Sequence, residues 1–322
     1  MIRGGGIVKA LLALALVAVL WLTVGWYWGG PLAKDTPFIV TDGSSLSAIA
    51  ARLEKERAIS SASSFKLRAR VFGGGTPIKA GEFMLPKGAS AAKILAILQG
   101  DDVIRRFVTV PEGMPSVLVY ERLMQNPNLT GSIEIPAEGS ILPDTYDFER
   151  KESRQAVLLR MQAAMQRTLA ELWEKRGPNT VVKTPQEAVV LASIVEKETG
   201  KPSERPTVAG LYSNRLRQGI MLQADPTIIY PITQGKPLGR RIRQSEIQAI
   251  NGYNTYSMLG LPKGPITNPG RSAIAAVLNP AQTDALYMVA DGTGGHAFAA
   301  TLEQHNANVE KWFAIRRAKG EI

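Results

Sequence analysis

The chain has 322 residues, 45% apolar and 20% charged, ordinary globular values with material for roughly two folded units. Its net charge of +10 favours an anionic partner. With no cysteine and only two histidines, disulfides, thiolate nucleophiles and cysteine metal sites are excluded, and a zinc site has a poor donor set.

From Ile7 to Trp28 the sequence carries one charge, Lys9, near its start. At about 1.5 Å per residue this helix would reach roughly 33 Å, enough to cross a bilayer. Trp21, Trp26, Tyr27 and Trp28 gather at the far end, where an aromatic belt sits. Arg3 and Lys9 at the near end predict a cytoplasmic amino terminus over residues 1–6. A cleaved signal peptide is the alternative, but Pro31-Leu32-Ala33 makes a poor small-x-small cleavage site. An uncleaved anchor over 7–28 puts the bulk of the chain outside the cytoplasmic membrane and argues against a nucleic-acid partner.

A compact module follows. Pro37–Thr41 reads as a strand, Ser45–Glu56 and Ser61–Phe72 as helices, Pro77–Leu85 as a strand and Ser90–Leu98 as a helix closed by Gly100. Helix two is broken by Gly73-Gly74-Gly75. A new unit starts at Asp102, with a strand over Val103–Val110 and a short helix over Ser116–Met124. Asn126–Asp147, rich in Pro, Gly and Asn, reads as loop. Glu152–Lys175 is a long amphipathic helix with Leu158, Met161, Met165, Leu169 and Leu172 as its core stripe. The remainder is rich in helix up to a buried-strand pattern at Ala285–Ala290 and a final amphipathic helix over Thr301–Arg317. The fold class is therefore α+β, divided at 29–101 and 102–322 after the anchor.

One helix raises a chemical question. Thr184-Pro185-Gln186-Glu187 is a capping box with proline at the first position, and Gly200 is a stop signal. Between them Ala188–Val195 is small or apolar on every side, the pattern of a buried helix, yet it runs into Glu196 and Glu198. Desolvation raises a carboxyl pKa, and a general acid at neutral pH needs such a raised value. Glu196 shares its face with the small residues Ala192 and Ser193, which leave room for a ligand; Leu191 and Ile194 crowd Glu198. The competing reading pairs both glutamates with arginines such as Arg205 or Arg215.

Downstream, Asp225 before Pro226 is either a helix N-cap or a second catalytic carboxylate. Tyr253-Asn254-Thr255-Tyr256, Gly260–Ile266 and Asn268-Pro269-Gly270 mix aromatics and amides with rigid turns, suited to a sugar groove or to ordinary loops. Gly294-Gly295-His296 places a histidine in a tight loop, and His305 follows. No G-x-S-x-G, P-loop or dinucleotide fingerprint occurs.

Taken in order, LASIVEKET (191–199), SNRL (213–216), LQADPT (222–227), YNTY (253–256), GLPKGPITNPG (260–270) and VADGTGGHAF (289–298) resemble the endolytic murein transglycosylase (YceG-like) family from about Phe38 onward. Lys263 and Ala224 are small departures, where a second proline and a Ser or Thr are common. The resemblance implies a bacterial inner-membrane protein with one anchor, a LysM-like subdomain carrying Gly81-Glu82-Phe83, and a periplasmic catalytic domain. It implies cleavage between N-acetylmuramic acid and N-acetylglucosamine within glycan strands, leaving 1,6-anhydro-muramyl ends, without metal or cofactor. Peptidoglycan is then the partner, with synthases or division proteins as further candidates. The family's catalytic glutamate is carried onto Glu196, with Glu198 as fallback. Asn214, Gln223, Asp225, Tyr253, Asn254, Tyr256, Asn268 and His296 are the expected substrate-binding residues. Two rival expectations are an inverting hydrolase using Glu196 and Asp225, and a noncatalytic wall-binding scaffold.

Overall fold

The computed structural model describes residues 4–321. Arg3 lies outside them, and Gly4–Gly6, expected to precede the anchor, are already helical. The chain is a mixed α+β protein that divides into two compact units, one running to Arg106 with Asp147–Arg150 added, the other Phe107–Tyr146 with Lys151 onward.

The first unit opens with α1 (Gly4–Tyr27), whose Val8–Tyr27 stretch of 20 residues is long and apolar enough to cross a membrane. Then come β1 (Thr36–Val40), α2 (Leu46–Lys55), α3 (Ala62–Phe72), β2 (Gly81–Leu85) and α4 (Ala91–Gln99). Ser45, Ser61 and Ser90 each accept the amide three residues on, which is why all three helices start where they do. β1 and β2 pair antiparallel with Phe38 opposite Phe83, and both rings enter a core with Phe65, Leu53, Ile94 and Leu98. β2 is shorter than the expected Pro77–Leu85 because the Lys79 amide turns away to the Leu98 carbonyl. Trp26 departs from the lipid-facing belt: it is 3% exposed and its ring lies 5.9 Å from that of Phe65.

A second two-stranded sheet pairs β3 (Arg106–Thr109) with β4 (Thr145–Phe148). β3 is only the end of the expected 103–110 strand, and β4 falls in the tail of the stretch read as loop.

The second unit contains α5 (Ser116–Gln125), α6 (Arg154–Glu174), α7 (Pro185–Glu198), a 3-10 turn at Pro202–Glu204, α8 (Arg205–Arg217), α9 (Pro226–Thr233), α10 (Gln244–Ile247) and α11 (Arg271–Leu278). It closes with the hairpin β5 (Tyr287–Ala290) and β6 (His296–Ala299) and with α12 (Leu302–Ala318). Helix α7 is the centre of its core: every residue from Ala188 to Glu196 is buried, packed by α11, α8, α9 and α6. The α6 stripe points inward as expected, with Leu158, Met161, Met165 and Leu172 buried. Of the 285–290 segment Ala285 is buried and the rest half-buried, since a two-stranded hairpin under α12 has one open face. His296 begins a strand; the tight turn ends before it.

Candidate functional site

Helix α7 is set by its amino end. Thr184 accepts the Glu187 amide at 3.1 Å and Pro185 fills the first position. Glu187 reaches one residue further back than a capping box requires, taking the Lys183 amide at 2.6 Å. At the other end Glu196 and Glu198, about 200° apart around the axis, enter different surroundings.

Glu196 is held by the protein on both oxygens. Arg205 Nη2 donates to Oε1 at 2.8 Å, and the Gly270 amide, at the start of α11, donates to Oε2 at 2.8 Å. The same Nη2 donates to Glu112 Oε2 at 2.8 Å, and Ser272 bridges Arg205 and Glu112. The Glu196 side chain is 3% exposed and that of Arg205 is 9% exposed. Burial pushes the Glu196 carboxyl up, the Gly270 amide and Arg205 pull it down, and Glu112 pushes it up; the net direction is upward. Protonation alone does not make this group a donor to a ligand. Arg205 holds one oxygen and a backbone amide the other, so a donor role would compete with two charge-assisted or backbone hydrogen bonds.

Glu198 is the opposite case. Burial, with Asp225 adding repulsion, pushes its carboxyl up to about 7, against a hydrogen bond from Tyr212 and the charge of Arg215. Its Oε1 is buried and has no hydrogen-bond partner. Tyr212 is 2% exposed and burial drives its hydroxyl far above the ordinary range, so it stays a donor. Asp225 is not the side-chain cap of α9 that its position before Pro226 suggests; its Oδ1 accepts the Tyr256 hydroxyl at 2.6 Å. Arg215 supports the loop that carries Asp225. Its Nη1 donates to the carbonyls of Met221 and Leu222 and to Gln223 Oε1 at 3.0, 2.9 and 3.2 Å. Gln223 has a left-handed backbone (φ 53°), which costs about 1 kcal/mol for a side chain with a Cβ. Its amide bond to the Thr255 carbonyl at 3.1 Å helps to hold it there.

A cleft of about 460 Å³ opens along this region, bounded by Pro111–Pro115, Lys197, Pro226, Tyr230 and Lys236–Leu238. Neither Glu198 nor Asp225 is part of its lining, although their neighbours Lys197 and Pro226 are; Glu196 borders it at Gly113, where a Cβ would stand 3.4 Å from the Glu196 Cγ. Tyr230 also touches the Tyr253 ring, centroids 4.8 Å apart, and Lys263 Nζ lies 4.9 Å above Tyr253. The lining is apolar with basic rims, suited to a sugar face flanked by acidic substituents.

The structure brings Glu198, Asp225, Tyr256 and Gln223 together and puts Tyr253 beside the cleft. It corrects the reading of three asparagines as substrate ligands, because their carboxamides are committed to the protein. Asn254 Nδ2 donates to the carbonyls of Ile247 and Ala249 at 2.9 and 2.7 Å, and Asn268 Nδ2 to Met114 O and Ser116 Oγ at 2.9 and 3.1 Å. Asn214 Nδ2 donates to the Thr283 and Ala285 carbonyls. His296 belongs to another cluster, with Nδ1 2.8 Å from Glu204 Oε2. Sequence reasoning missed Glu112, Tyr212 and Tyr230. An acid in the proline-bounded turn Pro111-Glu112-Gly113-Met114-Pro115 was the available signal for the first.

The YceG-like family model matches residues 38–311. The chain belongs to the YceG-like family. Over 90% of its length it is 26% identical to the endolytic murein transglycosylase of Bacillus subtilis, covering 89% of that protein. It is 28% identical to the endolytic murein transglycosylase of Streptococcus pneumoniae, of which it spans 65%. Among solved structures, a YceG-like protein from Listeria monocytogenes superposes with a TM-score of 0.53 at 26% identity, over 85% of this chain and 99% of that one. Outside the match lie the whole of α1 and the last turns of α12; both glutamates and the whole cleft lie inside it.

Proposed function

We propose that this chain is an endolytic murein transglycosylase, with Glu198 as the single acid and base of the reaction. The observation that carries the assignment is the contrast within α7. The Glu198 carboxyl is held up to about 7 with one oxygen buried and unbonded, an oxygen that substrate reaches only if the wall beside it opens, whereas Glu196 has both oxygens bonded by Arg205 and Gly270. In this reading Glu196, the first choice of both side-chain crowding and the family resemblance, is a structural anchor between α7, α8 and α11.

In this reading protonated Glu198 gives its proton to the glycosidic oxygen as the bond to muramyl C1 breaks. The carboxylate left behind takes the proton of the muramyl C6 hydroxyl, which attacks C1 of the same sugar and closes the 1,6-anhydro ring. Proton and electron count balance over the cycle, and Glu198 ends protonated. Because the nucleophile is intramolecular, its effective concentration is high and no water has to be held. Tyr212 and Asp225 adjust the proton affinity of Glu198 without taking part in bond making. Cleavage within nascent strands would terminate glycan elongation.

The location follows from α1: anchored through residues 7–28 in the inner membrane, the chain would work in the periplasm close to the bilayer, beside peptidoglycan synthases or division proteins. The first unit would act as a LysM-like wall-binding module. Asp225 beside Glu198 favours one second reading, inverting hydrolysis with Asp225 as the base. Mass spectrometry of products from purified glycan strands separates the two. Ends lighter than the hydrolytic product by one water support the transglycosylase; reducing ends support the hydrolase.

A further inference from the structure

At the end of α1 lies a cavity that glycan cleavage does not use. It encloses about 390 Å³ within the first unit, between the last turns of α1, the 29–31 turn and the start of α3. Arg68 is the one charged residue in its lining, which contains no acid. Arg68 is 8% exposed. Its Nη1 donates to the Gly25 carbonyl at 3.2 Å, its Nη2 to the Trp21 carbonyl at 2.8 Å, and its guanidinium lies 4.3 Å from the Trp21 ring centroid. Its Nε is buried with no acceptor. Two carbonyl bonds leave most of the donors of a guanidinium unused, and a buried cation without a counter-charge is expensive.

The facing wall has the same sign. Helix α3 begins there, with Ser61 as its cap and no acid in its first turn, so the positive end of the helix is not neutralised. Ser60, Ser61 and Ser64 line the cavity, and the Ser61 hydroxyl oxygen accepts the Ser64 amide at 3.3 Å, which leaves its O–H free to donate. A cation, a helix amino end and three serines share one lining without any anion among them.

The surroundings point to a bilayer surface. Leu67 and Val71 on α3 are 47% and 58% exposed, and Tyr27 and Trp28 at the end of α1 are 65% and 76% exposed. The rings of Tyr27 and Phe72 lie 6.2 Å apart, joining these two sets into one apolar face. Aromatic and apolar residues at the exit of a membrane-spanning helix belong at headgroup depth.

We propose that this cavity binds the phosphate of an anionic phospholipid, with Arg68 as its cation and the Ser60, Ser61 and Ser64 hydroxyls as further donors. The proposal rests on reading α1 as a membrane anchor. Occupancy would tie the first unit to the headgroup layer and fix its pose at the anchor.

The test uses the full chain in detergent, titrated with phosphatidylglycerol or with a phosphate-free diglucosyl diacylglycerol, and counts retained lipid by native mass spectrometry. Wild type should retain one phosphatidylglycerol, about ten-fold more tightly than the glycolipid, and Arg68→Gln should lower that affinity about ten-fold. Ser64→Leu, which fills the cavity and leaves Arg68 in place, should do the same. Both variants should keep wild-type cleavage of soluble glycan strands. Equal retention of the two lipids, or no change in Ser64→Leu, overturns the proposal. Displacement by millimolar inorganic phosphate also overturns it, in favour of a free-phosphate site. Failure of wild type to float with vesicles removes the anchor reading, and the proposal with it; floating without headgroup preference removes the proposal alone.

Discussion

Arg205 donates to Glu196 at 2.8 Å across a contact in which both side chains are almost fully enclosed. That pair separates two glutamates that look interchangeable in V-E-K-E. Neutralising one partner of a buried pair weakens it, and here leaves Arg205 to the more exposed carboxylate of Glu112. Glu196→Gln should therefore lower stability in chemical denaturation by roughly 1–3 kcal/mol while the folded fraction still cleaves glycan. Full stability with abolished cleavage would return the acid role to Glu196.

The carboxyl of Glu198 carries a pH signature. Its pKa rises from 4.5 to about 7 on folding, so between those values the native state binds more protons than the unfolded chain. Stability should fall as pH rises through that window and level off above about 7, by no more than roughly 3 kcal/mol. Glu198→Gln should flatten this part of the profile, read as the difference between wild-type and variant denaturation midpoints across pH. An unchanged slope in the variant would mean that Glu198 does not titrate there.

Asp225 raises the proton affinity of Glu198. Replacing it by Asn removes a negative charge, so the Glu198 pKa should drop and the alkaline limb of the rate profile should move to lower pH. Anhydro ends should still form. Loss of all activity in Asp225→Asn, with reducing ends in the wild-type product, would favour the hydrolytic reading.

Gly270 supplies an amide to Glu196 and has no room for a side chain. A Cβ there would stand 2.1 Å from Glu112 Oε1. Gly270→Ala should push Glu112 away from Arg205 and lower the thermal midpoint, a loss of about 1–3 kcal/mol. A neutral effect on melting would show that the Glu112 side chain moves aside freely.

Much of the scaffold was legible because local chemistry decided it. Thr184-Pro185 and the small or apolar Ala188–Val195 run mark α7, and apolar spacing with glycine breaks marks the helices of the first unit, whose serine caps the structure adds. The site was less legible because distant partners decide it. An apolar helix gives no preferred face, so nothing local says that Glu196 meets Gly270 and Arg205 while Glu198 meets Tyr212 and Asp225. Crowding by Leu191 and Ile194 argued against Glu198, yet burial is what lifts its pKa. The asparagines failed differently. An amide beside aromatic residues looks like a sugar ligand until the carbonyls around it are known, and those around Asn268 come from residues far back in the chain. The β6 strand escaped notice because Gly294-Gly295 reads as a loop, and four residues after it are too few to show a period.

The most direct measurement compares Glu198→Gln with Glu196→Gln on purified glycan strands, each checked for folding by its melting curve. Glu198→Gln should melt near wild type and release almost no anhydro ends, with Glu196→Gln within about ten-fold of wild type per folded molecule, since general acid–base groups contribute roughly 10²–10⁴-fold. Near wild-type cleavage by Glu198→Gln, with none from a well-folded Glu196→Gln, would contradict the assignment.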